Sequence, residues 1–307
     1  ANFSDSDELT DFSPGVVVRL AERTGQQDAM KVLAGPGAQT TLPWRLPMAL
    51  RTMLWWDGEH SPDVTIGDAQ LPEVGTARLV ADTPAEVPVV VALKAGHNAE
   101  NHNQNDVGSF IVHVGGETFL CDPGRGLYSR QYFSAARYEN VFANSYGHSL
   151  PVLAGELQAA GREYAGEVLV FEPDAEPKAI VAEIGDAYPG DALQGLRRTL
   201  TLGSVGDRAG TVTLDDTFEF EGEVGSVQEA LVTWLDVEVE GPTAVIHGAS
   251  YDLVLTIESP DDARFDLEVL TEASEANRKS GILKRLTVDL DAQSHVEFAV
   301  RMTVQSR

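Results

Sequence analysis

Histidine, asparagine and aspartate crowd one short interval of this chain. Residues 94–122 read KAGHNAENHNQNDVGSFIVHVGGETFLCD. Such side chains are poor core formers, but together they can move protons, grip hydroxyls and carboxylates, or ligate a metal. Residues 107–114 are mostly apolar and read as a strand. Gly115-Gly116 is a two-residue hairpin signal, because both central positions of such a turn favour positive φ, and 117–121 returns as a second strand. With that turn, 114 faces 117 and 109 faces 122. Asp122 then comes back beside Ser109 and the loop carrying His102, Gln104 and Asp106.

The elements that must hold this corner differ along the chain. Up to residue 60 the pattern is helical. Ser13-Pro14 predicts a helix start, with proline in the first turn and apolar Val16, Val17, Leu20 and Ala21 behind it. Residues 26–33 and 46–56 read as two further helices. Residues 61–88 break at Pro, Gly and Asp, with short alternating pieces such as TARLVAD, and read as a linker. From 89 to 307 the chain is overwhelmingly β, with runs such as VPVVVALKA, RRTLTLG, GTVTLDDTFEFEG, YDLVLTIES and HVEFAVRMTV spaced by turn residues. The predicted fold is mainly β, a large antiparallel β-sandwich (89–307) preceded by a short α-helical segment (1–60).

Composition narrows the partners. The formal net charge of −26 over 307 residues argues against nucleic acid, which needs a basic stripe. No apolar run reaches transmembrane length, so no membrane partner is expected. A single cysteine, Cys121, excludes an intramolecular disulfide and a Cys-based zinc knuckle. Charge is uneven. Residues 94–148 hold four Lys/Arg against five Asp/Glu, so the region with unusual chemistry is also the least repulsive to an anion. Within it Arg125, Arg130 and Arg137, interleaved with Tyr128 and Tyr138, are candidates to hold an anionic ligand. Ala1 is followed by no signal-like segment, as in a processed or trimmed chain.

Three pieces of this region, GHNAENHNQNDVGSF, FLCDPGRGLYSR and RYENVFANSYGHSLPV, resemble the heparinase II/III-like family of polysaccharide lyases. The family pattern is a histidine, a second histidine two residues on, then an aspartate with Gly-Ser-Phe. An Asp-x-Gly and a histidine before a short apolar turn come later. NFSDS near the N-terminus is similar to the last helices of the family's toroid. The resemblance implies an (α/α) toroid, an antiparallel β-sandwich and substrate in the cleft between them. It implies β-elimination at a uronic acid. A base removes the proton α to the carboxylate, an acid protonates the leaving glycosidic oxygen, and polar or cationic groups hold the developing charge.

Carried over residue by residue, the resemblance puts His102 on the active-site histidine and Asp122 and His148 on two ligands of a structural zinc. The third ligand position, a histidine in the family, is Gln104 here. A glutamine oxygen is a weaker zinc ligand than imidazole, so zinc is expected to be held loosely or replaced, by another cation or by hydrogen bonds among Gln104, Asp122 and His148. Tyr138 is assigned to catalysis beside His102. His97, Asn98, Asn101, Arg125, Tyr128, Arg130 and Arg137 are assigned to an anionic, uronate-containing polysaccharide or oligosaccharide. The toroid normally supplies a catalytic tyrosine, and residues 1–60 hold none. The chain is therefore expected to be a C-terminal portion, with the rest of a toroid or a second copy as its partner, and to show little or no activity alone.

Plainer readings stand beside these. His97 can simply hold the loop in shape, and Asp106, just before a strand, can bond backbone N–H groups. Cys121 lies on the opposite strand face from Asp122 and reads as a small core residue. A non-catalytic carbohydrate-binding β-sandwich would explain the β-rich chain but not His102 together with Asp122 and His148. A non-haem iron site wants a carboxylate where Gln104 stands.

Overall fold

Alternation in the sequence becomes alternation in burial. Along Thr76–Asp82, buried Ala77 and Leu79 alternate with half-exposed neighbours, and along Leu193–Leu202 the side chains of Leu196, Arg198, Leu200 and Leu202 face inward. A period of two is what packs one face of a sheet and wets the other. The computed structural model describes residues 3–5, 13–27, 30, 46–58, 66–222, 225–291 and 293–307. The chain divides into two compact units, Ser6–Gly67 and a larger one made of Ala1–Asp5 with Asp68–Arg307.

The smaller unit holds helices α1 (Pro14–Thr24) and α2 (Leu46–Trp55). Pro14 sits in the first turn of α1, and Gly25 ends it in the left-handed conformation at φ 74°. The two helices meet at Gly15, where an added Cβ would stand 2.2 Å from the Arg51 carbonyl oxygen. Only glycine allows that approach. On α2, Leu46, Met48, Leu50, Met53, Leu54 and Trp55 are exposed. The helix expected over 26–33 falls largely outside the described residues. Among the described residues no helix is long and apolar enough to cross a membrane.

The larger unit is antiparallel β. It opens with β1 (Ala69–Leu71), β2 (Thr76–Asp82), β3 (Pro88–Lys94), β4 (Gly96–Asn98), β5 (Phe110–Val114), β6 (Glu117–Leu120) and β7 (Val152–Leu153). It continues with β8 (Gly161–Glu172), β9 (Lys178–Glu183), β10 (Leu193–Leu202), β11 (Val212–Phe220) and β12 (Val227–Thr233). It closes with β13 (Asp236–Glu240), β14 (Thr243–His247), β15 (Tyr251–Ser259), β16 (Asp266–Val269), the short helix α3 (Thr271–Ala276), β17 (Lys284–Leu290) and β18 (His295–Ser306). Three sheets result, ordered β1-β2-β3-β5-β6, β13-β14-β15-β18-β11-β10-β9-β8-β4 and β16-β17-β12-β7. One core joins them: Leu79, Val91 and Phe110 from the first, Leu200, Phe218 and Val300 from the second, Leu231 and Leu286 from the third. Strands β1 and β2 lie inside the stretch read as a linker. TARLVAD pairs along its whole length with β3, because its alternation gives it a face to bury.

Two features position the site. The first is the β5–β6 hairpin. Gly115 and Gly116 take φ 57° and 96° as the turn requires, and Val114 faces Glu117. The register then shifts by one between Val112 and His113, so the expected pairing of 109 with 122 is not kept. A bulge is an extra residue in one strand; the turn alone does not reveal it. Cys121 packs inward with Phe142, Val232 and Leu283.

The second feature is a buried ion cluster. The Arg198 guanidinium on β10 donates to both carboxylate oxygens of Asp216 at 2.5–3.1 Å. It also donates to the carbonyl oxygens of Gly108 at 2.8 Å and Ser149 at 2.7 Å. Glu229 lies 3.6 Å away. Burial first, and then the Asp216 charge, push the Glu229 carboxyl well above its usual range. One side chain thus ties the large sheet to the backbone just before β5 and just after His148.

Candidate functional site

The loop between β4 and β5 is built from its own amides. Gln158 donates to the Val107 carbonyl at 2.6 Å and accepts from the Val107 N–H at 3.1 Å. Asn98 donates to the Gln158 side chain at 3.2 Å and to the Ala159 carbonyl at 3.0 Å, and Asn105 donates to the Gln158 carbonyl at 3.0 Å. These buried amides brace one another, while the loop tip, Asn101 and His102, is exposed. Asn98, assigned to substrate, is enclosed and braces the loop. His97 Nδ1 accepts the Ala99 N–H at 3.2 Å, which is the loop-shaping role.

Beneath the loop lie two adjoining clusters. The inner one is Asp106, Asp122 and His148, all buried, with ligand atoms within 4.8 Å of one another. Asp122 accepts from the Gly124 N–H at 2.7 Å and the Ser4 N–H at 3.0 Å. Asp106 accepts from the Ser4 hydroxyl at 2.7 Å and from the buried Lys94 ammonium. The aspartate expected to bond backbone N–H groups therefore spends its carboxylate on Lys94 and Ser4 instead. His148 follows a 3-10 turn that Asn144 caps through its side chain, and it is locked in place where Ser149 meets Arg198.

His148 Nδ1 lies 3.6 Å from Asp122 Oδ2, yet the two are not an ion pair near neutral pH. Burial pushes the imidazole down to about 4. Burial, with the Asp106 charge second, pushes the Asp122 carboxyl up to about 8. Both His148 nitrogens lack hydrogen-bond partners. An orphaned imidazole beside two carboxyl groups fits a divalent cation. Gln104, expected as the third ligand, is fully buried and turns its amide nitrogen toward Asp5, with its Oε1 unpartnered. The oxygen-rich donor set suits a harder ion at least as well as zinc.

This chemistry gives a pH test. Asp122, raised in the folded state, contributes stability that is full below the unfolded value and lost as pH rises through about 8. His148, depressed, contributes stability present above pH 6.5 and lost as pH falls toward about 4. The two oppose each other at acid pH, and only Asp122 acts above 6.5. Chelator-treated protein is expected to lose about 2 kcal/mol of unfolding free energy between pH 6.5 and 8. A divalent cation should reverse the loss, and Asp122→Asn should flatten it. Denaturant unfolding at the two pH values measures this, and equal stabilities would reject the assignment.

The outer cluster surrounds a residue not singled out in the sequence, Asp5. Its carboxylate accepts from the hydroxyls of Tyr128 at 2.8 Å and Tyr132 at 2.9 Å and from the Gln104 amide at 3.4 Å. His102 Nδ1 lies 3.2 Å from it, and so does an Arg137 guanidinium nitrogen. Burial alone would raise the Asp5 carboxyl, but hydrogen bonds from Tyr128, Tyr132 and His102 and the Arg137 charge hold it below its usual range. Burial and the same carboxylate push both phenols up, that of Tyr132 to about 12, so both stay protonated donors. The Asp5 side chain is 2% exposed, and that of His102 is 67% exposed.

Arg137 stacks on the Tyr132 ring at 4.4 Å and Arg125 on the Tyr128 ring at 4.8 Å. A hollow of about 260 Å³ lies beside the Arg137–Tyr132 pair, lined also by Ser129, Gln131, Asn140 and Asn277 among others. Tyr138 stands apart: its hydroxyl accepts from Asn103 at 3.1 Å and braces the loop. Arg130 is exposed on the surface. Sequence reasoning missed Ser4, Asp5, Lys94 and Tyr132. Ser4 and Asp5 lay in the NFSDS motif and Lys94 opened the flagged 94–122 stretch, but none of the three was given a role.

No family model and no curated protein matches this sequence. Solved structures do. The chain is similar to heparan sulfate lyase HepC from Pedobacter heparinus (TM-score 0.68, 15% identity, 99% of this chain and 44% of that one). It is also similar to a structure of heparinase III (TM-score 0.67, 15% identity, 99% and 44%) and to another heparinase III gene product (TM-score 0.63, 14% identity, 100% and 43%). The chain thus shares their fold and spans less than half of their length. The likeness first seen in residues 94–148 extends through the architecture.

Proposed function

We propose that this chain forms the β-sandwich wall of a polysaccharide-lyase cleft and acts on a uronic-acid-containing glycan by β-elimination. One observation carries the reading: an exposed imidazole with an anchored Nδ1 stands with two tyrosine hydroxyls and a guanidinium around Asp5, on the fold of heparan sulfate lyases. In the reaction the proton α to the carboxylate leaves, the bond to the glycosidic oxygen breaks, a carbon–carbon double bond forms and the oxygen takes a proton. His102 presents Nε2 to the sugar, where it holds the uronate carboxylate or relays a proton. Arg137 and Arg125 hold negative charge, and the Tyr128 ring offers a stacking face. Tyr128, rather than Tyr138, shares a partner with His102. The remaining acid–base group is proposed to come from a helical toroid. A divalent cation held by Asp106, Asp122, His148 and Gln104 would supply structural cross-linking beneath the loop.

The test separates binding from turnover. The chain is expected to bind uronate oligosaccharides saturably in calorimetric titration, and Arg137→Ala to weaken that binding by ~10-fold, as for loss of one charge-assisted contact. Ultraviolet absorbance of the unsaturated product should stay near background with this chain alone and rise with a longer form that carries the toroid. Equal affinity for neutral glucans, or no turnover by the longer form, would reject the lyase reading.

A further inference from the structure

Asp5 occupies an unusual position for a carboxylate. It is almost fully enclosed, yet the groups it holds reach the surface: His102 at the loop tip and Tyr128 beside Arg125. It collects donors from two segments far apart in sequence, His102 and Gln104 from one and Tyr128, Tyr132 and Arg137 from the other. An ionised carboxylate only accepts. A neutral His102 bonded to it through Nδ1 must therefore carry its proton on Nδ1 and leave the Nε2 lone pair free. His102 also sits at φ 60°, where a residue with a Cβ is strained and must be held from outside. Ser4 at φ 59° turns the backbone so that two successive side chains serve different clusters. Ser4 reaches Asp106 while Asp5 reaches His102.

We propose that Asp5 is the positioning residue of this site: its carboxylate fixes the tautomer and outward presentation of His102 and aligns the hydroxyls of Tyr128 and Tyr132 beside it. What His102 then does to a sugar rests on the lyase reading. The hydrogen-bond arrangement itself does not. A strut with no bearing on the site would also cost stability when removed, so melting temperature cannot separate the two roles. The tautomer of His102 can.

The experiment is a long-range proton–nitrogen correlation spectrum of the nitrogen-15-labelled chain, recorded well above the pH of imidazole protonation. The His102 signals are identified by their loss in His102→Gln. The wild type is expected to show His102 protonated on Nδ1, and Asp5→Ala to move it to the Nε2-protonated form. An Nε2-protonated wild type overturns the proposal whatever the variants do, so a variant that fails to fold does not shelter it. The same tautomer with and without Asp5 overturns it as well. In a form that turns over uronate polymer, Asp5→Ala should lower kcat by ~10–100-fold with KM little changed, the usual cost of losing a partner that orients a functional histidine. If His102→Gln leaves turnover intact while the tautomer follows Asp5, the lyase role of His102 fails and the positioning role of Asp5 stands.

Discussion

Arg198→Leu is expected to cost the fold about 3–5 kcal/mol, the usual consequence of removing one partner from a buried charge cluster. The loss is large because leucine leaves the Asp216 carboxylate enclosed without its guanidinium partner while freeing the carbonyls of Gly108 and Ser149 as well. Glu229, a second enclosed carboxyl 3.6 Å from Arg198, offers no positive charge to replace the guanidinium. Denaturant unfolding of the variant measures the loss. A midpoint within ~0.5 kcal/mol of wild type, the range of ordinary surface changes, would mean the cluster is not a keystone. The double variant Arg198→Leu/Asp216→Leu should recover part of the loss, because an apolar pair strands no charge.

The second large effect falls on chemistry. In a form that turns over uronate polymer, His102→Ala is expected to lower turnover by ~10²–10⁴-fold, the range for a positioned acid–base side chain. Its exposed position predicts no comparable loss of stability, so the variant should melt close to wild type. Near-normal turnover would remove His102 from the mechanism. A drop in turnover accompanied by a drop in melting temperature would instead assign it to loop architecture.

The parts of this molecule that could be read in advance are those whose signal is local. TARLVAD and RRTLTL alternate because one face of each strand is buried. Gly115-Gly116 marks a turn because few other residues take positive φ twice in succession. Cys121, read as a small core residue, packs among Phe142, Val232 and Leu283. The illegible parts are contacts between distant residues. Ser4 meets Asp122 across 118 positions, and Asp5 meets Tyr132 across 127. Nothing in NFSDS announces that its aspartate will collect five side chains from elsewhere. Asp106 reads as an ordinary strand-entry aspartate because its partner, Lys94, looks like the end of an apolar run. Asn98 looks like a ligand-binding amide for the opposite reason: its partner Gln158 lies 60 positions on, so its enclosure is invisible. The one-residue shift in the hairpin likewise leaves no mark in the turn residues.

The path of the chain has a consequence for control. Ala1–Asp5 belongs to the same unit as everything from Asp68 onward, with the whole of Ser6–Gly67 strung between. A single protease cut within that intervening stretch would break no bond at His102, Tyr128 or Arg137. It would turn Ser4 and Asp5 into part of a separate strand of peptide, retained only by non-covalent grip and free to leave on dilution. A cleavage remote from the site could thereby strip it of its central carboxylate, and adding back a short peptide carrying the NFSDS segment could restore it.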